Sequence, residues 1–211
     1  APGSGTSPAI SPDGRRVYAF GGAGEIFAID AETGAVVFTR PVGGAQASPT
    51  VDAEGHVYVV AEALLRKLEG ATGDELWARS YDELARDELP KVSRFWPLVK
   101  TGVPVSRIDS VITATPNAVW AVVLCGYEIG VFGRDLVQAR QAFLVSIDPA
   151  TGDLRFATRI PDSSEGVVSV GREGELYLDL LAIQASVAVE ARYAFLLPRA
   201  LRPPPPRGGI V

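Results

Sequence analysis

Methionine is absent from the chain, and cysteine and histidine occur once each, as Cys125 and His56. One cysteine forms no disulfide within a chain, and one cysteine with one histidine builds none of the zinc sites made of several such ligands. A site needing two imidazoles is excluded on the same ground. Basic charge is also short: 20 Lys and Arg stand against 25 Asp and Glu, a formal net charge of −5. A nucleic-acid partner would call for a basic stripe, so that class is set aside. No apolar run reaches the ~18 residues of a membrane span. The most apolar stretch, 118–132, contains Glu128 and reads as a buried strand pair. A translation product begins with methionine, so its absence leads us to expect a processed chain or a fragment of a longer one.

Glycine and proline, in contrast, are plentiful at 22 and 16, which suits many short strands and tight turns. Three stretches share one phrase. They are Asp30-Ala31-Glu32-Thr33-Gly34 with Phe38 following, Glu69-Gly70-Ala71-Thr72-Gly73 with Trp77 following, and Asp148-Pro149-Ala150-Thr151-Gly152 with Phe156 following. Thr33 and Thr72 stand about 40 residues apart and Thr72 and Thr151 about twice that, a repeat period.

The strands between these phrases repeat as well. Ser7-Pro8 recurs as Ser48-Pro49, and the strand 16–20 recurs as 56–60. Each unit reads as a four-stranded antiparallel meander, about 6–41, 47–80, 110–160 and 165–197. The fourth lacks the Thr-Gly phrase. Two segments interrupt the period and are read as insertions. Residues 81–109 open with helix-forming composition up to Pro90 and continue, at 95–98, into an aromatic loop or a second short element, and 126–141 splits the third unit. Residues 198–211 form a proline-rich tail. The expected fold is all-β: a partial or small β-propeller of about four blades with a short helical insertion.

Each residue of the phrase has a mechanical role. Asp30, Glu69 and Asp148 can accept backbone N–H groups two or three residues on, and Thr33, Thr72 and Thr151 do so more weakly. Gly34, Gly73 and Gly152 supply the positive φ of a tight turn. Phe38, Trp77 and Phe156 lie on the outermost strand, where an aromatic ring packs against the neighbouring unit. The three acids fall one to a unit, which favours turn closure over paired catalytic carboxylates. His56, at a strand start, reads as an edge histidine, and Cys125, after an apolar strand, as a buried inert thiol. Gly21-Gly22-Ala23-Gly24 precedes no helical pattern and reads as a hairpin turn. In the first insertion Lys91, Arg94, Phe95 and Trp96 mix basic and aromatic groups suited to a protein or peptide contact. The same rings could instead anchor the insertion.

The pattern Ala-x-Asp-x-x-Thr-Gly-x-x-x-Trp, preceded by Ser-Pro and Gly-x-Val-Tyr strands, resembles the repeat of pyrroloquinoline-quinone (PQQ)-type β-propellers. The first unit has Ala28, Asp30, Thr33 and Gly34 with Phe38 for Trp; the second has Thr72, Gly73 and Trp77 with Lys67 and Glu69 for Ala and Asp; the third has Asp148, Thr151 and Gly152 with Ser146 and Phe156. The resemblance implies one of two groups. Quinoprotein dehydrogenases hold the quinone and a calcium ion, commonly on an adjacent cysteine pair, and would need roughly 320 residues for eight blades. Here one cysteine and 211 residues are present. The other group, propellers of outer-membrane protein assembly and sensor domains of bacterial kinases, carries the repeats without the cofactor. The expectation is therefore a non-catalytic binding or scaffolding module without quinone or calcium, periplasmic or otherwise extracytoplasmic in a bacterium, with a protein or peptide partner. The alternatives are a fragment of a quinoprotein dehydrogenase and the sensor domain of a larger signalling protein. Because an open arc exposes unpaired edges, missing blades or self-association are expected too.

Overall fold

The computed structural model describes residues 6–45, 47–92, 99–108, 110–131, 134–162, 164, 166–180 and 209–210. It is nearly all β. Four short strands, β1 (Ala9–Ile10), β2 (Arg16–Phe20), β3 (Glu25–Asp30) and β4 (Val36–Pro41), pair in sequence order as an antiparallel sheet. The next four, β5 (Thr50–Val51), β6 (Val57–Ala61), β7 (Leu64–Leu68) and β8 (Glu75–Arg79), repeat that order in a second sheet. Equivalent registers mark the repeat: Ala9 pairs with Tyr18, and Thr50 with Tyr58.

The alternation of the sequence explains which faces are covered. Ile26 and Ala28 on β3 are fully buried, whereas β4 is an outer strand whose residues are exposed or half-buried. All five residues of β6 are buried. Tyr18, Phe20, Ile26, Val57, Val59 and Leu68 form one apolar core between the first two sheets. Fully burying each aliphatic side chain contributes about 1.5–3 kcal/mol before entropy is counted.

After β8 a short helix α1 (Asp82–Glu88) ends before Pro90, and β9 (Val99–Ile108) follows. The third sheet takes β10 (Thr113–Ala114), β11 (Val119–Val131), β12 (Arg134–Ile147) and β13 (Leu154–Ile160) in order. β9 runs along the later part of β11, from Val123↔Ile108 to Ile129↔Val99. Two small pairs complete the described elements: β14 (Ser169–Val170) with β15 (Leu176–Tyr177), and β16 (Asp179–Leu180) with β17 (Gly209–Ile210).

Two compact units emerge. One holds residues 1–79, 111–121 and 146–156; the other holds 80–110, 122–145 and 157–211. The first contains all three Thr-Gly turns and both of the first two sheets. In the second, Asp82 on α1 accepts the backbone N–H and the hydroxyl of Ser106 on β9 at 2.7 and 3.0 Å, fixing the helix to that strand. Tyr127 donates to the Pro90 carbonyl at 2.6 Å.

The two interruptions take regular form. In 81–109, β9 occupies 99–108, and the aromatic loop or short element expected at 95–98 lies outside the described residues. Of 126–141, the residues described lie within the long strands β11 and β12. In the fourth unit, the described part of 165–197 gives two-stranded pieces, and its residues from 181 onward lie outside the described residues.

Candidate functional site

The three Thr-Gly turns show where the acids of the repeat are used. Asp30 Oδ1 accepts the backbone N–H of Glu32 and Thr33 at 3.1 and 2.8 Å and the Thr33 hydroxyl at 2.8 Å. Those bonds from Thr33, more than any charge, hold the Asp30 carboxyl below its usual range. Asp148 Oδ1 accepts Ala150 N–H at 2.7 Å, and Arg155 donates to its Oδ2 at 2.9 Å; Arg155 is the main reason this carboxyl also lies low. Glu69, one methylene longer, accepts Ala71 N–H at 3.3 Å, and Thr72 turns its hydroxyl to Asp74 instead. In all three the Gly N–H closes onto the acid's own carbonyl, at 2.7–2.9 Å, and the glycines have φ of 73, 77 and 77°.

Two of these turns receive the preceding sheet. Phe38 of β4 packs against Gly73: a Cβ there would stand 2.6 Å from the ring. Trp77 of β8 lies on Gly152, where a Cβ would stand 2.7 Å from the indole. One residue after Glu69 and after Asp148, a carbonyl accepts from that same preceding sheet. Gly70 O takes Tyr18 OH and an Arg16 N–H, both at 2.9 Å. Pro149 O takes Trp77 Nε1 at 3.2 Å and Lys67 Nζ at 3.1 Å. Inner strands add Ser7 N–H to Ser48 Oγ and Thr50 Oγ1 to the Ile112 carbonyl. Phe156 departs from this pattern. It meets Trp120 of its own sheet edge-on at 5.8 Å and remains 50% exposed.

Beside the first two turns lies an open cleft of about 430 Å³ that includes Asp13, Arg15, Arg16, Asp30, Glu54 and Glu69. Asp30 and Glu69 thus share a cleft while each closes its own turn. Next to it Asp52, Glu54 and His56 gather in the β5–β6 turn. Asp52 Oδ1 accepts Glu54 N–H and His56 N–H, and its Oδ2 accepts from His56 Nδ1 at 3.0 Å and Tyr58 OH at 3.2 Å. The buried Lys67 ammonium stands 3.8 Å from that oxygen. This set does not fit the calcium of quinoproteins. Calcium takes six to eight oxygen ligands, and here two carboxylates, an imidazole and a competing ammonium meet. The geometry is a satisfied turn with a buried counter-ion.

Cys125 is buried, and burial followed by the nearby Glu88 and Asp82 charges pushes its thiol up to about 12. At neutral pH such a group is no nucleophile. Lys91 is exposed after α1, and Arg94, Phe95 and Trp96 lie outside the described residues. No helix among the described residues is long and apolar enough to cross a membrane.

Sequence reasoning missed the Asp52–Lys67 pair and the carbonyl acceptors. Lys67 fills the position where the repeat pattern has alanine, and that departure was the available signal. A carbonyl acceptor leaves no trace in residue type.

Comparison with known proteins agrees with this geometry. Residues 1–103 match the family described as outer membrane protein assembly factor BamB. No curated protein matches the chain. Among solved structures, quinohemoprotein alcohol dehydrogenase from Comamonas testosteroni is 14% identical with a TM-score of 0.56, over 83% of this chain and 29% of that one. The β-propeller domain of Myceliophteria thermophila Cps50 (Swd1) is 14% identical with a TM-score of 0.52, over 86% and 51%. Quinohemoprotein alcohol dehydrogenase ADHIIG from Pseudomonas putida HK5 is 12% identical with a TM-score of 0.51, over 83% and 28%. The chain therefore spans 28–51% of the length of these structures, and at such identity the likeness is one of fold. With three in-period Thr-Gly turns, antiparallel four-stranded sheets and the match over residues 1–103, the chain resembles the PQQ-like β-propeller repeat family.

Proposed function

We propose that this chain is a non-catalytic propeller module that binds a protein or peptide partner and takes up neither quinone nor calcium. One observation carries the reading: the reactive side chains of the repeat are already engaged. Asp30 and Asp148 close turns, Trp77 and Lys67 meet the Pro149 carbonyl, and Asp52 is surrounded by His56, Tyr58 and Lys67. The thiol of Cys125 is buried and protonated.

The description of the matching family as an outer membrane protein assembly factor supports a protein partner and an extracytoplasmic site in a bacterium. The cleft beside the first two turns is the partner-binding surface in this reading. Its acids and its paired Arg15 and Arg16 suit a polar peptide backbone with charged side chains of both signs. Lys91, exposed after α1, is a separate candidate contact.

Calorimetric titration with pyrroloquinoline quinone, with and without calcium, tests the proposal. No saturable heat and no oxidation of alcohols or sugars is the expected result. Stoichiometric quinone binding with calcium-dependent alcohol oxidation would overturn it.

A further inference from the structure

The turns between the first two strands of each of the first two sheets are built alike and filled differently. In the β1–β2 turn, Ser11 Oγ accepts the Arg16 N–H at 2.9 Å, and Asp13 stands two residues after the serine. In the β5–β6 turn, Asp52 Oδ1 accepts the His56 N–H at 2.9 Å, and Glu54 stands two residues after the aspartate. Serine, aspartate and arginine are thus replaced by aspartate, glutamate and histidine. A set with one good metal ligand becomes a set of three.

The second duty of the arginine has moved as well. Arg16 donates across to the Gly70 carbonyl, and in the second sheet Lys67 makes the equivalent bond to the Pro149 carbonyl. His56 is therefore not needed between sheets and turns back on its own loop. Its Nδ1 stands 3.0 Å from Asp52 Oδ2 and 3.5 Å from Glu54 Oε2, and the ligand atoms of the three residues lie within 4.8 Å of one another. Zinc bonds imidazole nitrogen and carboxylate oxygen at about 2.0–2.2 Å, which sets neighbouring corners of its tetrahedron about 3.3–3.6 Å apart. The Glu54 edge already has that length. The Asp52 edge is a hydrogen bond, and a metal would lengthen it slightly. The Glu54 side chain is 74% exposed and has room to close the remaining edge.

We propose that Asp52 Oδ2, Glu54 Oε2 and His56 Nδ1 form a zinc site on the β5–β6 turn, with water as the fourth ligand. The ion replaces the proton that His56 Nδ1 shares with Asp52, and the imidazole keeps its N–H at Nε2. One imidazole with two carboxylates suits a borderline dication, whereas calcium asks for six to eight oxygens. Asp52 stays anchored throughout, because its Oδ1 holds the Glu54 and His56 N–H groups and Tyr58 donates to its Oδ2. The Lys67 ammonium, 3.8 Å from that Oδ2, repels the ion and makes the site weaker than its ligands alone would be.

Zinc chloride titrated into the native chain, Glu54→Gln and Lys67→Met tests the proposal, followed by calorimetry and by nitrogen NMR of the imidazole. His56 is the only histidine, so its two ring nitrogens report the site without ambiguity. The native chain is expected to take up one zinc, with the larger resonance change at Nδ1, and calcium chloride is expected to produce neither signal. Loss of an outer-shell partner costs a metal site about 10–100-fold in affinity, so Glu54→Gln, which removes a ligand, is expected to bind at least about tenfold more weakly. Its exposed side chain closes no turn, so the fold is expected to be kept. Lys67→Met is expected to bind more tightly than the native chain, an effect that zinc on an isolated surface imidazole would not show. A change centred on Nε2 overturns the proposal, as does the absence of saturable binding. Glu54→Gln that binds as well as the native chain, or Lys67→Met that binds no tighter, overturns it too.

Discussion

Trp77 rests on Gly152 so closely that a single added methyl would lie 2.7 Å from its indole ring, and its N–H reaches the Pro149 carbonyl in the same turn at 3.2 Å. The tryptophan is 7% exposed. Trp77→Phe keeps most of the apolar contact and loses the hydrogen bond, and is expected to cost about 1 kcal/mol. Trp77→Ala opens a cavity and is expected to cost about 3–5 kcal/mol. Urea titration of the native chain and both variants, read by circular dichroism, gives the two differences.

The Asp52–Lys67 pair yields a second expectation. Lys67 and Asp52 side chains are about one-tenth exposed, and Asp52 also holds the β5–β6 turn. Asp52→Ala leaves a buried ammonium with only the Pro149 carbonyl and the Tyr58 ring near it, at an expected cost of about 3–5 kcal/mol. Lys67→Met leaves Asp52 with its His56, Tyr58 and backbone donors and is expected to stay within about 1 kcal/mol of the native chain. Equal losses for the two variants in chemical denaturation would contradict the assignment of Asp52 as the organising group.

Acid should act through the turns. Asp30, Asp148 and Asp13 all titrate below the ordinary carboxylate value of 3.8 in the folded chain, the last chiefly through the Ser11 hydroxyl. A depressed folded value means that the stabilisation is present above the unfolded value and is lost as pH falls through the folded one. Stability is therefore expected to be level near neutrality and to fall below about pH 4. Asp30→Asn should flatten part of that fall, which denaturant midpoints measured across the acid range would show.

Cys125 should be chemically silent. A thiol that titrates near 12 and is fully buried gives little thiolate at neutral pH. Reaction with a disulfide reagent is expected to be slow in the native chain and rapid in denaturant. Fast native labelling would place the cysteine at the surface.

Much of this architecture is legible in the residues, because the turns are local. Asp30, Thr33 and Gly34 interact within a few positions of one another, so their roles follow from type and spacing. The strands around Tyr18 and Tyr58 are legible for the same reason. β9 was not. Gly102 and Pro104 argue against a strand interior, and both are tolerated because β9 pairs with β11 alone among the described residues. The joints were half legible. Outer-strand aromatics suggested packing between units, but nothing in the sequence names the glycine beneath each ring. Gly73 and Gly152 were assigned a turn role only, and their second role, leaving room for a neighbour's ring, needs the long-range geometry. Phe156 holds the same position in its phrase as Phe38, but no glycine lies under it among the described residues.

That difference supplies the most direct test of the central claim, that the Thr-Gly turns are joints between sheets as well as turns. Gly34, Gly73 and Gly152 share nearly the same positive φ, so alanine carries a similar backbone cost at each, about 1–2 kcal/mol. Only at Gly73 and Gly152 does the new methyl also collide with a ring, adding about 1–3 kcal/mol. Stabilities of the three Gly→Ala variants, measured at low protein concentration, should therefore rank Gly34→Ala as clearly the mildest. Three equal losses would mean that the glycines serve the turns alone.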